Sequence, residues 1–179
     1  MKIQIVEYDP DWPRLFRGRG EQLRRALGEV ALRIDHIGST SIPGLAAKPI
    51  MDIQISVAAF EPLDAFRQPL ERLGYIFRAD NAERTKRYFR ETPGTPPEHI
   101  HVRKAGSWGE QFALLFRDYV RTHPDEAAQY AAIKRDLAER YRDDRHRYTE
   151  AKNPFIWSVM QRATGWSQKI GWEPGPSDV

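Results

Sequence analysis

In the stretch HIGSTSIPGLAAKPIMDIQISV, running from His36 to Val57, a Gly-Ser pair is followed by an aspartate set in an alternating apolar run. Pro49 to Val57 reads as a strand, on which residues two apart share a face. Asp52, Gln54 and Ser56 therefore point one way, and Ile53, Ile55 and Val57 point into a core. Upstream, Gly38 lets a backbone approach a ligand closely. Ser39, with Thr40 beside it, offers hydroxyls and amides at the entry to a short helix whose free N–H groups favour phosphate. A phosphate cradle beside a carboxylate is the chemistry this spacing suggests. A plain turn followed by the polar edge of a strand is the alternative.

The segment His99-Ile100-His101-Val102 places two imidazoles on one strand face. Joined to Asp52 they could form a three-ligand metal site, or His101 could serve as a general base near neutral pH. Both could instead contact a ligand's phosphate, or one could be a satisfied buried histidine and the other solvent-facing. Imidazole suits zinc or nickel better than magnesium. Lys48 lies just before the aspartate strand, and Arg84, Lys86, Arg87 and Arg90 form a basic run. On a strand Arg87 shares a face with Phe89, whereas Lys86 and Arg90 go with Tyr88, so the four cannot converge on one ligand. Lys152, in YTEAKNPFI near the start of the last helix, is a further candidate. For each of these cations the ordinary alternative is a solvated surface charge.

The elements that must position these groups follow from periodicity. Asp9-Pro10-Asp11 starts a helix whose apolar stripe, Trp12, Leu15, Phe16, Leu23 and Leu27, runs to Gly28. Val30, Leu32 and Ile34 alternate with Ala31, Arg33 and Asp35 as a first strand that delivers His36 and the Gly-Ser turn. Glu61 to Leu73 is helical with a break expected at Pro69. Residues 75–77, 84–91 and 99–103 are short strands. Beyond Ser107 and Glu110, a capping box, the chain turns helical, with stripes from Phe112 to Val120 and from Tyr130 to Tyr141 read as core, and a last helix within 149–164. The order, mixed α and β first and α afterwards, predicts an α+β fold in a single domain over 1–170, with 171–179 a flexible Gly/Pro-rich tail.

At 179 residues with no cysteine, the chain can bury roughly two thirds of its unfolded surface and excludes thiolate metal sites and disulfides. No apolar run reaches a membrane span of ~20 residues, and the start MKIQIVEYDPDW lacks a signal-peptide layout, so a cytoplasmic protein is expected. The 28 Lys and Arg against 25 Asp and Glu give a mixed surface, which offers little support for a nucleic-acid partner.

HIGSTSIPGLAAKPIMDIQI, then HIHV, LLFRDYVRTHP and YTEAKNPFI, closely resemble the GrpB family, uncharacterised bacterial proteins of the nucleotidyltransferase fold superfamily. The likeness extends from Val6 to about Ala163. It implies a nucleotidyltransferase-like mixed sheet with flanking helices and a C-terminal helical part, acting on or binding a nucleotide or another phosphate-bearing small molecule. The superfamily pattern sets Gly-Gly or Gly-Ser before an Asp-x-Asp or Asp-x-Glu strand, adds a third carboxylate from a later strand, and holds two Mg2+ ions. The resemblance thus implies Mg2+ or Mn2+ at Asp52. Gln54 stands at the second acidic position and His99 to Val102 near the third, so an inactive binding module is the alternative. Some relatives are fused to dephospho-CoA kinase, which suggests coenzyme A metabolism as a setting.

Overall fold

The computed structural model describes residues 2–179. Helix α1 (Trp12–Leu27) buries Trp12, Phe16, Leu23 and Leu27 of the stripe expected of it but leaves Leu15 exposed, and it has a proline in its first turn, where no intrahelical amide is needed. Strands β1 (Arg33–Ile37), β2 (Met51–Val57), β3 (Tyr75–Phe77), β4 (Arg87–Glu91) and β5 (Glu98–Lys104) form one mixed sheet. Their order is β1-β2-β5-β4-β3. The central pair, β2 and β5, is parallel and every other pairing is antiparallel. Parallel neighbours need a long crossover, which here carries α2 (Asp64–Arg72) and the hairpin of β3 and β4.

Period-two alternation gives the sheet two unlike faces. On one, Ile53, Ile55, Ile100, Val102 and Phe89 pack against Phe16 and Leu23 of α1 and Phe66 and Leu70 of α2. Burial of each such side chain contributes about 1.5–3 kcal/mol, which fixes the register and hence where the polar residues point. The polar face is covered in part by the helical layer, α3 (Trp108–Thr122), α4 (Pro124–Arg140), α5 (Arg145–Ala151) and α6 (Asn153–Ile170). That layer has its own core, in which Tyr119, Val120, Tyr130, Val159 and Met160 close over Ile42 and Leu45. The α+β architecture expected from the order of elements is the one observed.

Local boundaries differ from the sequence reading for identifiable reasons. Val30 belongs to a 3-10 turn and Leu32 is 51% exposed, so the first strand starts only at Arg33. Pro69 lies inside α2 without ending it. The last helical stretch divides at Lys152, where Pro154 opens α6. Residues 175–179, read as a loose tail, lie along the free edge of β1. Ser177 Oγ accepts from the Ile34 amide at 2.8 Å, and Asp178 Oδ2 accepts from the His36 amide at 2.9 Å. The buried Arg117 of α3 anchors Asp178 at 2.9 Å. Polar side chains thereby satisfy the exposed strand edge, a need that composition does not reveal.

Candidate functional site

The parallel register sets Asp52 opposite His99 and Gln54 opposite His101. His99 Nδ1 lies 3.2 Å and His101 Nε2 3.1 Å from the same carboxylate oxygen, Asp52 Oδ1. Tyr88, opposite His101 on β4, brings its ring centroid to 5.3 Å from that imidazole. Burial pushes the Asp52 carboxyl up, but the hydrogen bonds from His101 and His99 outweigh it and hold the group far below the usual carboxylate range. Burial pushes the His101 imidazole down, against the attraction of Asp52.

Gly38 sits at the end of β1 with φ +71°, a conformation that penalises any side chain. A Cβ there would also stand 2.6 Å from Asp52 Oδ2. Backbone and neighbour both demand glycine, and the result is that the carboxylate lies against the turn. The short helix expected after it is only a 3-10 turn, Ser39–Ser41, so it supplies no extended row of free amides.

Above Asp52 opens a cavity of about 400 Å3. Ser39, Lys48, His99 and His101 line it from the sheet side, together with Lys86 and Tyr88. Lys134 of α4, Arg145, Tyr148 and Thr149 of α5, and Lys152 close it from the helical layer. Lys48 Nζ and Lys152 Nζ stand 5.0 and 4.8 Å from the centre of the Tyr148 ring. Lys134 is 2% exposed, 4.4 Å from the Tyr130 ring, and donates to the Ala46 carbonyl. Burial, reinforced by Lys152, brings Lys134 down to about 7; burial, again with Lys152, brings Lys48 down to about 8. Burial likewise lowers Lys152. The Tyr148 hydroxyl is buried with no hydrogen-bond partner. Four lysines and one arginine border a single cavity that holds one acid.

Of the residues singled out in the sequence, Ser39, Lys48, Asp52, Lys86, His99, His101 and Lys152 share this cavity, whereas Arg84 and Arg90 do not line it. Thr40, Gln54 and Arg87 also lie elsewhere. Thr40 is buried with its hydroxyl 2.9 Å from His36 Nε2 and faces the interior. Gln54 has no exposure; its Nε2 donates to the Glu110 carbonyl of α3 at 3.3 Å, so it is sealed beneath a helix and away from the cavity. Arg87 is on the opposite face of the sheet, its guanidinium 4.2 Å from the Phe60 ring centre and bonded to the Arg84 carbonyl. Conversely Lys134, Arg145 and Tyr148 escaped notice. Lys134 carried a usable signal, because it falls four residues after Tyr130 and three before Leu137, on a stripe otherwise buried. Nothing local marks Arg145, which enters only through tertiary packing.

The fold is nucleotidyltransferase-like. It aligns with the Cid1 poly(U) polymerase, in a structure bound to MgATP, at TM-score 0.53 and 12% identity over 76% of this chain and 45% of that one. The GrpB protein model matches residues 2–162, and the chain belongs to the GrpB family. The crystal structure of GrpB from Enterococcus faecalis superposes at TM-score 0.83 with 33% identity, covering 95% of this chain and all of the other. Among curated relatives, the UPF0157 protein YqkA of Bacillus subtilis is 34% identical over 93% of the chain. Dephospho-CoA kinase of Mycolicibacterium paratuberculosis is 33% identical over 96%. The chain spans about half the length of both, 49% and 48% respectively.

The two Mg2+ ions implied by the fold superfamily do not fit these residues. Two hard dications need several carboxylate oxygens between them, and Asp52 is the only carboxylate lining the cavity among the described residues. Gln54, at the position of the second acid, is under α3. No helix among the described residues is long and apolar enough to cross a membrane.

Proposed function

We propose that the cavity binds a nucleotide or a similar phosphate-bearing small molecule. Its phosphates lie against Lys48, Lys134, Lys152 and Arg145, with Asp52 and His101 at the reacting end. The observation that carries this reading is the convergence of five cationic side chains, Lys48, Lys86, Lys134, Arg145 and Lys152, on one concave site beside a single acid. Burial lowers Lys48, Lys134 and Lys152, with Lys134 brought to about 7, and an entering anion favours their charged form. Ser39 adds a hydroxyl at the floor, above the Gly38 turn. The nucleotidyltransferase-like fold and the dephospho-CoA kinase relatives support a nucleotide as the ligand class.

A second reading, binding without transfer, is favoured by one specific feature: Gln54 is sealed off, so the usual acid pair is missing from the pocket. One set of experiments separates the two. Calorimetry of chelator-treated protein with nucleoside di- and triphosphates is expected to give one site, weakened about tenfold by Lys152→Gln, the scale of one charge-assisted hydrogen bond. Absence of any binding defeats both readings. A turnover screen against a nucleotide panel then compares wild type with Asp52→Ala; turnover lost in the variant supports transfer, and none in either protein leaves the binding module.

A further inference from the structure

We propose that Asp52, His99 and His101 form a site for one divalent transition ion of the zinc class, in place of the magnesium pair. The proposal deepens the reading of the cavity as a phosphate site, yet it rests on ligand geometry that holds for any phosphate-bearing occupant. Asp52 Oδ1, His99 Nδ1 and His101 Nε2 lie within 4.8 Å of one another. Bonds of about 2.0–2.2 Å with angles of 90–109° place neighbouring donors roughly 2.9–3.5 Å apart. The two oxygen–nitrogen separations here, 3.2 and 3.1 Å, fall in that interval, and the two ring nitrogens lie within 4.8 Å of each other, a gap that side-chain rotation can close around an ion.

Donor chemistry points the same way. Two imidazole nitrogens and one carboxylate oxygen are a borderline set, which favours Zn2+, Co2+ or Ni2+ over hard, water-loving Mg2+. All three ligands stand on adjacent parallel strands whose opposite face is packed in the core, so the set is held rigidly. The Asp52 side chain is 29% exposed and the remaining positions of an ion there face the cavity, which leaves them open to water or a ligand oxygen. Gly38 keeps the carboxylate where it is, since any side chain at that position would push it out of line.

Charge gives a reason for the ion to be there. Without one, the Asp52 carboxylate at the reacting end of the cavity opposes a phosphate at close range, its nearest polar neighbours being the His99 and His101 ring nitrogens. A dication held among them makes the corner net positive. The ion would then polarise a phosphoryl oxygen, the ordinary role of a Lewis acid.

The test is titration of chelator-treated protein with Co2+ alone, followed by competition with Zn2+ and Mg2+, with no phosphate present. The expected result is one equivalent of Co2+ with the intense visible absorption of a low-coordinate site, displaced by Zn2+ and indifferent to millimolar Mg2+. His99→Asn and His101→Asn are each expected to weaken Co2+ at least tenfold. Circular dichroism verifies that both fold. Should either variant fail to fold, the wild-type spectrum and the Zn2+ against Mg2+ competition decide alone. No stoichiometric Co2+, displacement by Mg2+, or undiminished affinity in folded variants overturns the proposal. Because nucleotide binding is measured separately in chelated protein, loss of one result leaves the other standing.

Discussion

Asp52 and Gln54 lie two residues apart on the same face of β2, and β5 sets His99 and His101 across from them. Yet one end of this polar row opens on a cavity and the other is shut. Over Gln54, Ser56 and Arg103 lies the start of α3, and Gln54 has no exposure. Over Asp52 the covering layer comes from α4 and α5, which meet the sheet with Lys134, Arg145 and Tyr148 and leave a gap. The difference is made by the covering helices. Strand periodicity decides which face a side chain takes, whereas the site is defined by where the second layer stops.

Replacing the sealed residue should have the largest effect. Gln54→Glu supplies the acid that the family resemblance leads one to expect but buries a carboxylate against the Glu110 carbonyl under α3. The expected outcome is a loss of roughly 3 kcal/mol or more, read as a lower denaturation midpoint in urea, with no gain of a second metal. If Gln54→Glu folds with unchanged stability, the contrast between the sealed and open ends is wrong.

At the open end, Gly38→Ala combines left-handed backbone strain with a methyl group against Asp52 Oδ2. A destabilisation of about 1–3 kcal/mol is expected by chemical denaturation, with Co2+ affinity falling as the carboxylate is displaced. Wild-type Co2+ binding in this variant would show that Asp52 is placed by something other than the turn.

Lys134 sharpens the contrast through pH. Its folded-state value is about 7 against an ordinary 10.5, so between those pH values the unfolded chain holds a proton that the folded chain lacks. Stability should therefore rise with pH over that interval, and Lys134→Met should make the rise shallower in denaturation curves at pH 7, 8 and 9, with Lys48 supplying part of what remains. A saturating anion in the cavity should flatten the same slope in wild type by restoring the proton.

The smallest effect is expected at Arg87. Across the sheet from the cavity, its guanidinium stacks on Phe60, so Arg87→Ala should change nucleotide affinity by less than about twofold and stability by no more than ~1 kcal/mol. A loss of affinity comparable to that of Lys152→Gln would mean that the ligand spans both faces.

Much of the fold was legible because it depends on periodicity: the alternation in β2 and the stripe of α1 announced themselves. Asp52 and the two histidines were legible as a face, and their pairing needed only two adjacent strands. Gln54 misled because alternation shows direction without cover. Arg87 misled for a related reason, since a basic cluster in sequence divides between faces on a strand. Lys134 was passed over because a lysine on an apolar stripe looks like an exception to core packing, when the stripe in fact turns there to line the cavity. The docking of residues 175–179 on β1 was illegible, as it depends on Ser177 and Asp178 meeting a strand edge set by distant residues.

The account turns on where a ligand's phosphates sit, and crystals of the protein soaked with a nucleoside triphosphate read that directly. The expected result is phosphate density between Lys48 and Lys152, within reach of the Tyr148 hydroxyl, with the leading phosphate facing Asp52. Phosphates held elsewhere, such as beside Arg84 and Arg87, with the cavity filled only by water, would contradict it.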